Sequence, residues 1–152
     1  MPNWPISAIA ELLRPSLAHL GYSIYALEQA GRSGRTLRLA IDKSEGFISI
    51  ADCERVSHVA GPLLDQADLI PDSYTLEVSS PGAERALRDR ADYERFVGRL
   101  VNVRARAGNS EVALEGTLLR VGEEAVTVAG AKGAEIEVAW RDVLSAHLVA
   151  KP

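Results

Sequence analysis

The sequence predicts an α+β protein, with an N-terminal α-β-β-α-β domain over residues 1–82, a linker at 83–88, and a short helix plus a small closed β-barrel over 89–152. Three observations carry this prediction. Within the first 80 positions the apolar residues recur at helical spacing, then at strand spacing, then again at each. The last third of the chain reads instead as five short strands joined by tight turns. Between the two parts, Pro81-Gly82 interrupts any continuing helix or strand.

Ile6, Ile9, Leu13, Leu17 and Leu20 fall three or four apart, which predicts a first helix with Asn3 or Ser7 as its cap and Gly21 as its stop. Pro15 lacks the amide that would bond to the Glu11 carbonyl, so a kink is expected there. The run YSIYALEQA, GRSG, RTLRLAID then predicts a hairpin, because Leu37, Leu39 and Ile41 alternate with Arg38, Ala40 and Asp42 to give one wet face. Ser49 and Asp52 form a Ser-x-x-Asp helix start. The apolar side of that second helix is Ile50, Cys53, Val56, Ala60, Leu63 and Leu64, and Gly61-Pro62 weakens its middle. TLEVSS closes the domain as a strand with Leu76 and Val78 inward and Thr75, Glu77 and Ser79 outward.

From Asp89 the period is helical again, with Tyr93, Phe96 and Val97 on one side and Gly98 after the last turn. The strands RLVNVRARA, EVALEGTLLRV, AVTVAG, AEIEVAW and LSAHLVA follow, separated by GNS, GEE, AKG and RDV. An open sheet of that size would leave exposed edges, which is why closure into a barrel is expected.

At 152 residues and 47% hydrophobic content the chain can bury a core. No apolar run approaches the ~18 residues of a membrane span, and residues 1–20 alternate polar with apolar instead of forming a signal-peptide core. A cytoplasmic monomer with no membrane partner is therefore expected. The single Cys53 excludes an internal disulfide, and one cysteine with three dispersed histidines makes no Cys/His zinc site. Neither a metal nor a cofactor is expected.

Catalytic patterns fail one by one. Ser33 in GRSGR lacks the second glycine of a nucleophile elbow, since position 35 is Arg35, and it lies in a hairpin. GRSG and GAKG match the Gly-x-x-Gly of a KH domain, but both join strands and read as turns. Cys53 and His58 are five apart on a helix, about 140° around the wheel, so they are expected to point away from each other. Asp65, Asp68 and Asp72 lack the glycine and terminal glutamate of a calcium loop and read as a solvated helix end. No catalytic residue is assigned.

Charge is more informative. The net charge of −4 is carried by residues 1–82, with 6 Lys/Arg against 10 Asp/Glu, whereas residues 83–152 carry 11 of each. Within that neutral part Arg85, Arg88, Arg90, Arg95, Arg99, Arg104 and Arg106 face only Asp89, Asp92 and Glu94. A guanidinium offers a planar fork of donors suited to phosphate oxygens, so this seam is the candidate RNA-binding or ribosome-binding set. The bland alternative is a solvated surface in a chain that prefers arginine, 14 Arg against 3 Lys.

The strand Leu-Glu-Val-Ser-Ser-Pro-Gly, which closes the first domain and leads toward the barrel, resembles the bacterial ribosome maturation factor RimP family. That family's run continues Leu-Asp-Arg-Pro-Leu where this chain has Ala83, Glu84, Arg85, Ala86 and Leu87. A helix with a mid-position proline followed by Leu-Gly-Tyr, ISIADCERVS, and DYERFVG followed by LVNVRAR are similar as well. The resemblance implies a non-enzymatic factor that binds the immature small ribosomal subunit, its ribosomal RNA and a basic ribosomal protein. It also implies a barrel of the SH3 or Sm type. Ser79, Ser80, Pro81, Gly82 and Glu84 then form a structural motif, with the two serines as turn and capping hydroxyls. The alternatives are a general RNA-binding module with an Sm-like barrel and, further off, a hydrolase built on Ser80.

Overall fold

A computed structural model describes residues 3–130 and 132–150, and the chain divides into two compact units, Met1–Gly82 and Ala83–Pro152. In the first, helix α1 (Ile6–His19) is followed by strands β1 (Tyr22–Ala30) and β2 (Thr36–Lys43), helix α2 (Ile50–Ala67) and strand β3 (Thr75–Ser79). The sheet order is β1-β2-β3, with β1 antiparallel and β3 parallel to β2, so α2 is the crossover between two parallel strands. β3 is an edge of this sheet.

The side chains that drive this arrangement form one core. Ile9, Leu13 and Leu17 of α1 pack with Leu37, Leu39 and Ile41 of β2 and with Val56, Ala60 and Leu64 of α2. Each strand residue alternates, so Arg38 stands on the opposite, wet face between Glu28 and Glu77. Two details differ from the sequence reading. The cap position of α1 is Pro5, which makes no side-chain cap hydrogen bond, and Ser7 lies inside the helix. Ile50 is 80% exposed, because the stripe that α2 buries is Asp52, Val56, Ala60 and Leu64, and Ile50 lies off it. Both helices run through their prolines, Pro15 and Pro62.

In the second unit a short helix α3 (Arg90–Arg95) precedes β4 (Leu100–Ala107), β5 (Ser110–Val121), β6 (Ala125–Ala129) and β7 (Glu135–Ala139). A 3-10 turn (Trp140–Asp142) leads into β8 (Val143–Leu148). The strands form an antiparallel sheet in the order β7-β6-β5-β4-β8. Among the described residues the ladder ends at β7 on one side and β8 on the other, so an antiparallel sheet stands where closure was expected. Register shifts at Leu118/Arg120 and Arg104/Ala105 bend β5 and β4.

The second core gathers Val101, Val103 and Ala105 of β4 with Leu118, Val126, Val128, Ala146 and Leu148, and adds Tyr93 from α3 and Phe96, its C-cap. Val97, expected on the same side, is 47% exposed. Part of the segment expected as a linker is built into this unit. The Leu87 N–H donates to the Ala146 carbonyl at 2.9 Å, the Leu148 N–H donates to Arg85 O at 3.0 Å, and Ala86 bridges His147. The GRSG and GAKG loops are turns, closed by Gly34 N–H to Gly31 O (3.1 Å) and Gly133 N–H to Gly130 O (3.0 Å); Ala131 lies outside the described residues.

Candidate nucleic-acid interface

The seven seam arginines divide into three groups. Arg85, Arg95 and Arg99 converge on Phe96, with guanidinium carbons 5.1, 4.7 and 5.9 Å from the ring centroid. The negative face of an aromatic ring attracts cations at that range. Phe96 is itself buried in the core, so the ring is a fixed support. Three cations gathered on one ring make a local concentration of positive charge that isolated surface arginines would not.

Within this cluster the three side chains are not equivalent. Arg85 is the only buried one of the seven, 7% exposed, and its Nη2 donates to Asp92 Oδ1 at 3.2 Å. Asp92 also accepts from the Arg88 backbone N–H at 3.0 Å, while its own N–H donates to Asp89, the cap of α3. Arg85 thus ties the chain before α3 to the helix and to the core below it. Arg95 is half-buried and Arg99 exposed.

Arg88 and Arg90 are exposed at the start of α3, and Arg90 Nε stands 3.4 Å from Glu94 one turn on. Exposed pairs of this kind contribute little and are readily exchanged for another anion. Arg104 and Arg106 lie on the outer face of β4, because Val101, Val103 and Ala105 take the inner one. Arg104 pairs with Glu111, and Arg106 stands opposite Glu111 in the register. This third group is therefore partly neutralised by its neighbour strand. Arg120, outside the seam, pairs with Glu135.

The Ser-Ser-Pro-Gly stretch runs from the end of β3 to a turn at Ala83 and Glu84. Ser79 ends β3 opposite Ala40, and Ser80 Oγ accepts the Gly82 N–H at 3.3 Å while Gly82 takes φ +95°, a value suited to glycine. Pro81 is half-buried and Glu84 exposed. Ser80 nevertheless shares a shallow cavity of about 420 Å³ with Cys53, Ser57 and His58 of α2. Cys53 and His58 both border this cavity, about 140° apart on the helix. Burial and the nearby Asp52 carboxylate push the Cys53 thiol up, away from the thiolate a nucleophile needs.

A buried polar hub in the first unit was legible only as a helix start. Asp52 accepts from Tyr22 Oη (2.5 Å), the Ser49 N–H (2.7 Å), Ser49 Oγ (2.9 Å) and Lys43 Nζ (3.1 Å), so one carboxylate joins β1, β2 and α2. The Tyr22 hydroxyl bond, with the Ser49 and Lys43 donors, holds its carboxyl well below the usual range. The capping box expected from Ser49 and Asp52 is present. Asp65, Asp68 and Asp72 are exposed, and Asp65 accepts from Tyr74 Oη at 2.8 Å. Burial, with this bond, pushes Tyr74 up to about 12. Among the described residues no three His, Cys, Asp or Glu side chains are grouped to hold a metal ion.

Ile50, 80% exposed, lines the cavity at Ser80 with Ile48 and Val78, and Phe47, next in sequence to Ile48, is 75% exposed. Compared with known protein families, residues 12–84 match the model of the RimP N-terminal domain.

Proposed function

We propose, from the premise that the chain belongs to the RimP family through its N-terminal domain at residues 12–84, that it binds the immature small ribosomal subunit and promotes its maturation without catalysing a reaction. Membership makes it a ribosome maturation factor in the general sense. The observation that carries the finer reading is the pair Arg95 and Arg99 on the buried Phe96 ring, which Arg85 supports from inside, next to the exposed Arg88 and Arg90. Phosphate oxygens of ribosomal RNA are the natural ligand for such a cluster.

The two units divide the work. The N-terminal one, with its excess of Asp and Glu and its exposed Phe47 and Ile50, suits a basic ribosomal protein. The C-terminal one suits RNA. Its sheet is read as an SH3/Sm-type barrel, with the bends in β4 and β5 and the close approach of Gly116 to Ala129 as the curling points. The setting is the bacterial cytoplasm, and the active form is a monomer.

Sedimentation of a cell extract through a density gradient tests the reading. The chain should migrate with immature small-subunit particles and be scarce on mature ribosomes. Migration at the top of the gradient, with free RNA, would favour a general RNA-binding module.

A further inference from the structure

We infer that the C-terminal unit holds a site for one unpaired nucleotide of RNA, in the cavity between the start of α3 and the 3-10 turn before β8. This rests on the RNA-binding reading above and adds a base-contacting element to it. The cavity measures about 370 Å³, within the range of small-molecule sites, and Arg88, Arg90, Tyr93, Glu123, Trp140 and Leu144 line it. Charged and apolar side chains share its walls, which suits a nucleotide with its flat base, sugar and charged phosphate.

Trp140 is the stacking surface. Its indole Nε1 donates to the Gly122 carbonyl at 2.9 Å, and its ring meets that of Tyr93 edge to face, with centroids 4.9 Å apart at 79°. A hydrogen bond at one end and a buried ring beside it fix the indole plane before any ligand arrives. Leu144, 40% exposed, supplies an apolar border. Arg88 and Arg90 line the same cavity, with Asp89 between them, and are the cations that would take a phosphate, while Glu123 offers an acceptor for an exocyclic amino group of the base. A base can stack only when it is unpaired, so single-stranded RNA is the ligand and duplex is not.

The experiment titrates the intact chain with oligoadenylate, oligouridylate and the duplex they form, following tryptophan fluorescence and, separately, the anisotropy of a labelled oligonucleotide. Single strands should change the fluorescence saturably and duplex should not. Trp140→Phe should retain most of the affinity and lose the fluorescence response, while Trp140→Leu weakens single-strand binding by about tenfold, in proportion to the lost stacking. Circular dichroism establishes that each variant is folded, and Trp140→Phe carries the test if Trp140→Leu is not. Arg88→Ala with Arg90→Ala should weaken binding and leave the Trp140 response at saturation intact. An unresponsive fluorescence, or equal binding of duplex and single strand, overturns the nucleotide site. If the chain still sediments with immature subunits in that case, only this site is lost and the maturation-factor reading stands.

Discussion

The Arg85 guanidinium lies inside the C-terminal unit and donates to Asp92 Oδ1 at 3.2 Å. The seam residue closest to the Ser-Ser-Pro-Gly motif is thereby committed to holding α3 in place, since a 7% exposed side chain has little surface left for a phosphate. Arg85→Ala should destabilise the C-terminal unit by about 2 to 4 kcal/mol, because it removes one partner of a largely buried ion pair and opens a gap beside Phe96. Thermal or urea unfolding checks this. Arg85→Lys should recover only part of the loss, as a single ammonium cannot both pair with Asp92 and stack on the ring.

Asp52 makes the N-terminal unit sensitive to acid. Its folded-state pKa is depressed, so its contribution is complete above the unfolded carboxylate value of about 3.9 and is lost as pH falls through that value toward the folded one. Melting temperature should therefore drop as pH falls below about 4. In Asp52→Asn that component of the acid dependence should be missing, with a lower stability at neutral pH. An unchanged acid limb in the variant would place the pH sensitivity on other carboxylates.

Ser79 and Ser80 should be dispensable for binding. The one hydroxyl contact of Ser80 is a surface turn bond to the Gly82 N–H, so Ser80→Ala should cost under about 1 kcal/mol. The Ser79→Ala, Ser80→Ala double variant should still bind immature subunits. Lost function with unchanged stability would instead point to chemistry at the serines.

Gly116 in β5 lies against Ala129 of β6. A Cβ there would sit 2.1 Å from the Ala129 carbonyl oxygen, a backbone atom that cannot move aside cheaply. Gly116→Ala should destabilise the C-terminal unit by about 2 to 3 kcal/mol, and a polypeptide of residues 1–82 should melt cooperatively by itself.

Elements set by local pattern were readable from the residues alone. The alternation in RLVNVRARA puts Arg104 and Arg106 outside, as they are, and Ser49 with Asp52 marks the start of α2. Features that depend on distant partners were not. Ile50 follows the helical period yet stays exposed, because the sheet meets α2 along Val56, Ala60 and Leu64. Arg85 looks like the first of a charged run, and only the pairing of residues 85–87 with β8 buries it. The role of Phe96 was hidden for a similar reason: its neighbour Arg95 and Arg99 three positions on are a visible signal, but Arg85 joins them through the fold.

The salt dependence of binding tests the arginine cluster most directly. Affinity for purified immature small-subunit particles is measured over a range of salt for the native chain and for Arg95→Ala with Arg99→Ala, both checked for unaltered melting. The account predicts weaker binding and a slope of log K against log salt flattened by roughly 0.7 to 0.9 for each lost phosphate contact. Equal affinity and an equal slope would contradict it, and would move the binding surface to the acidic N-terminal unit.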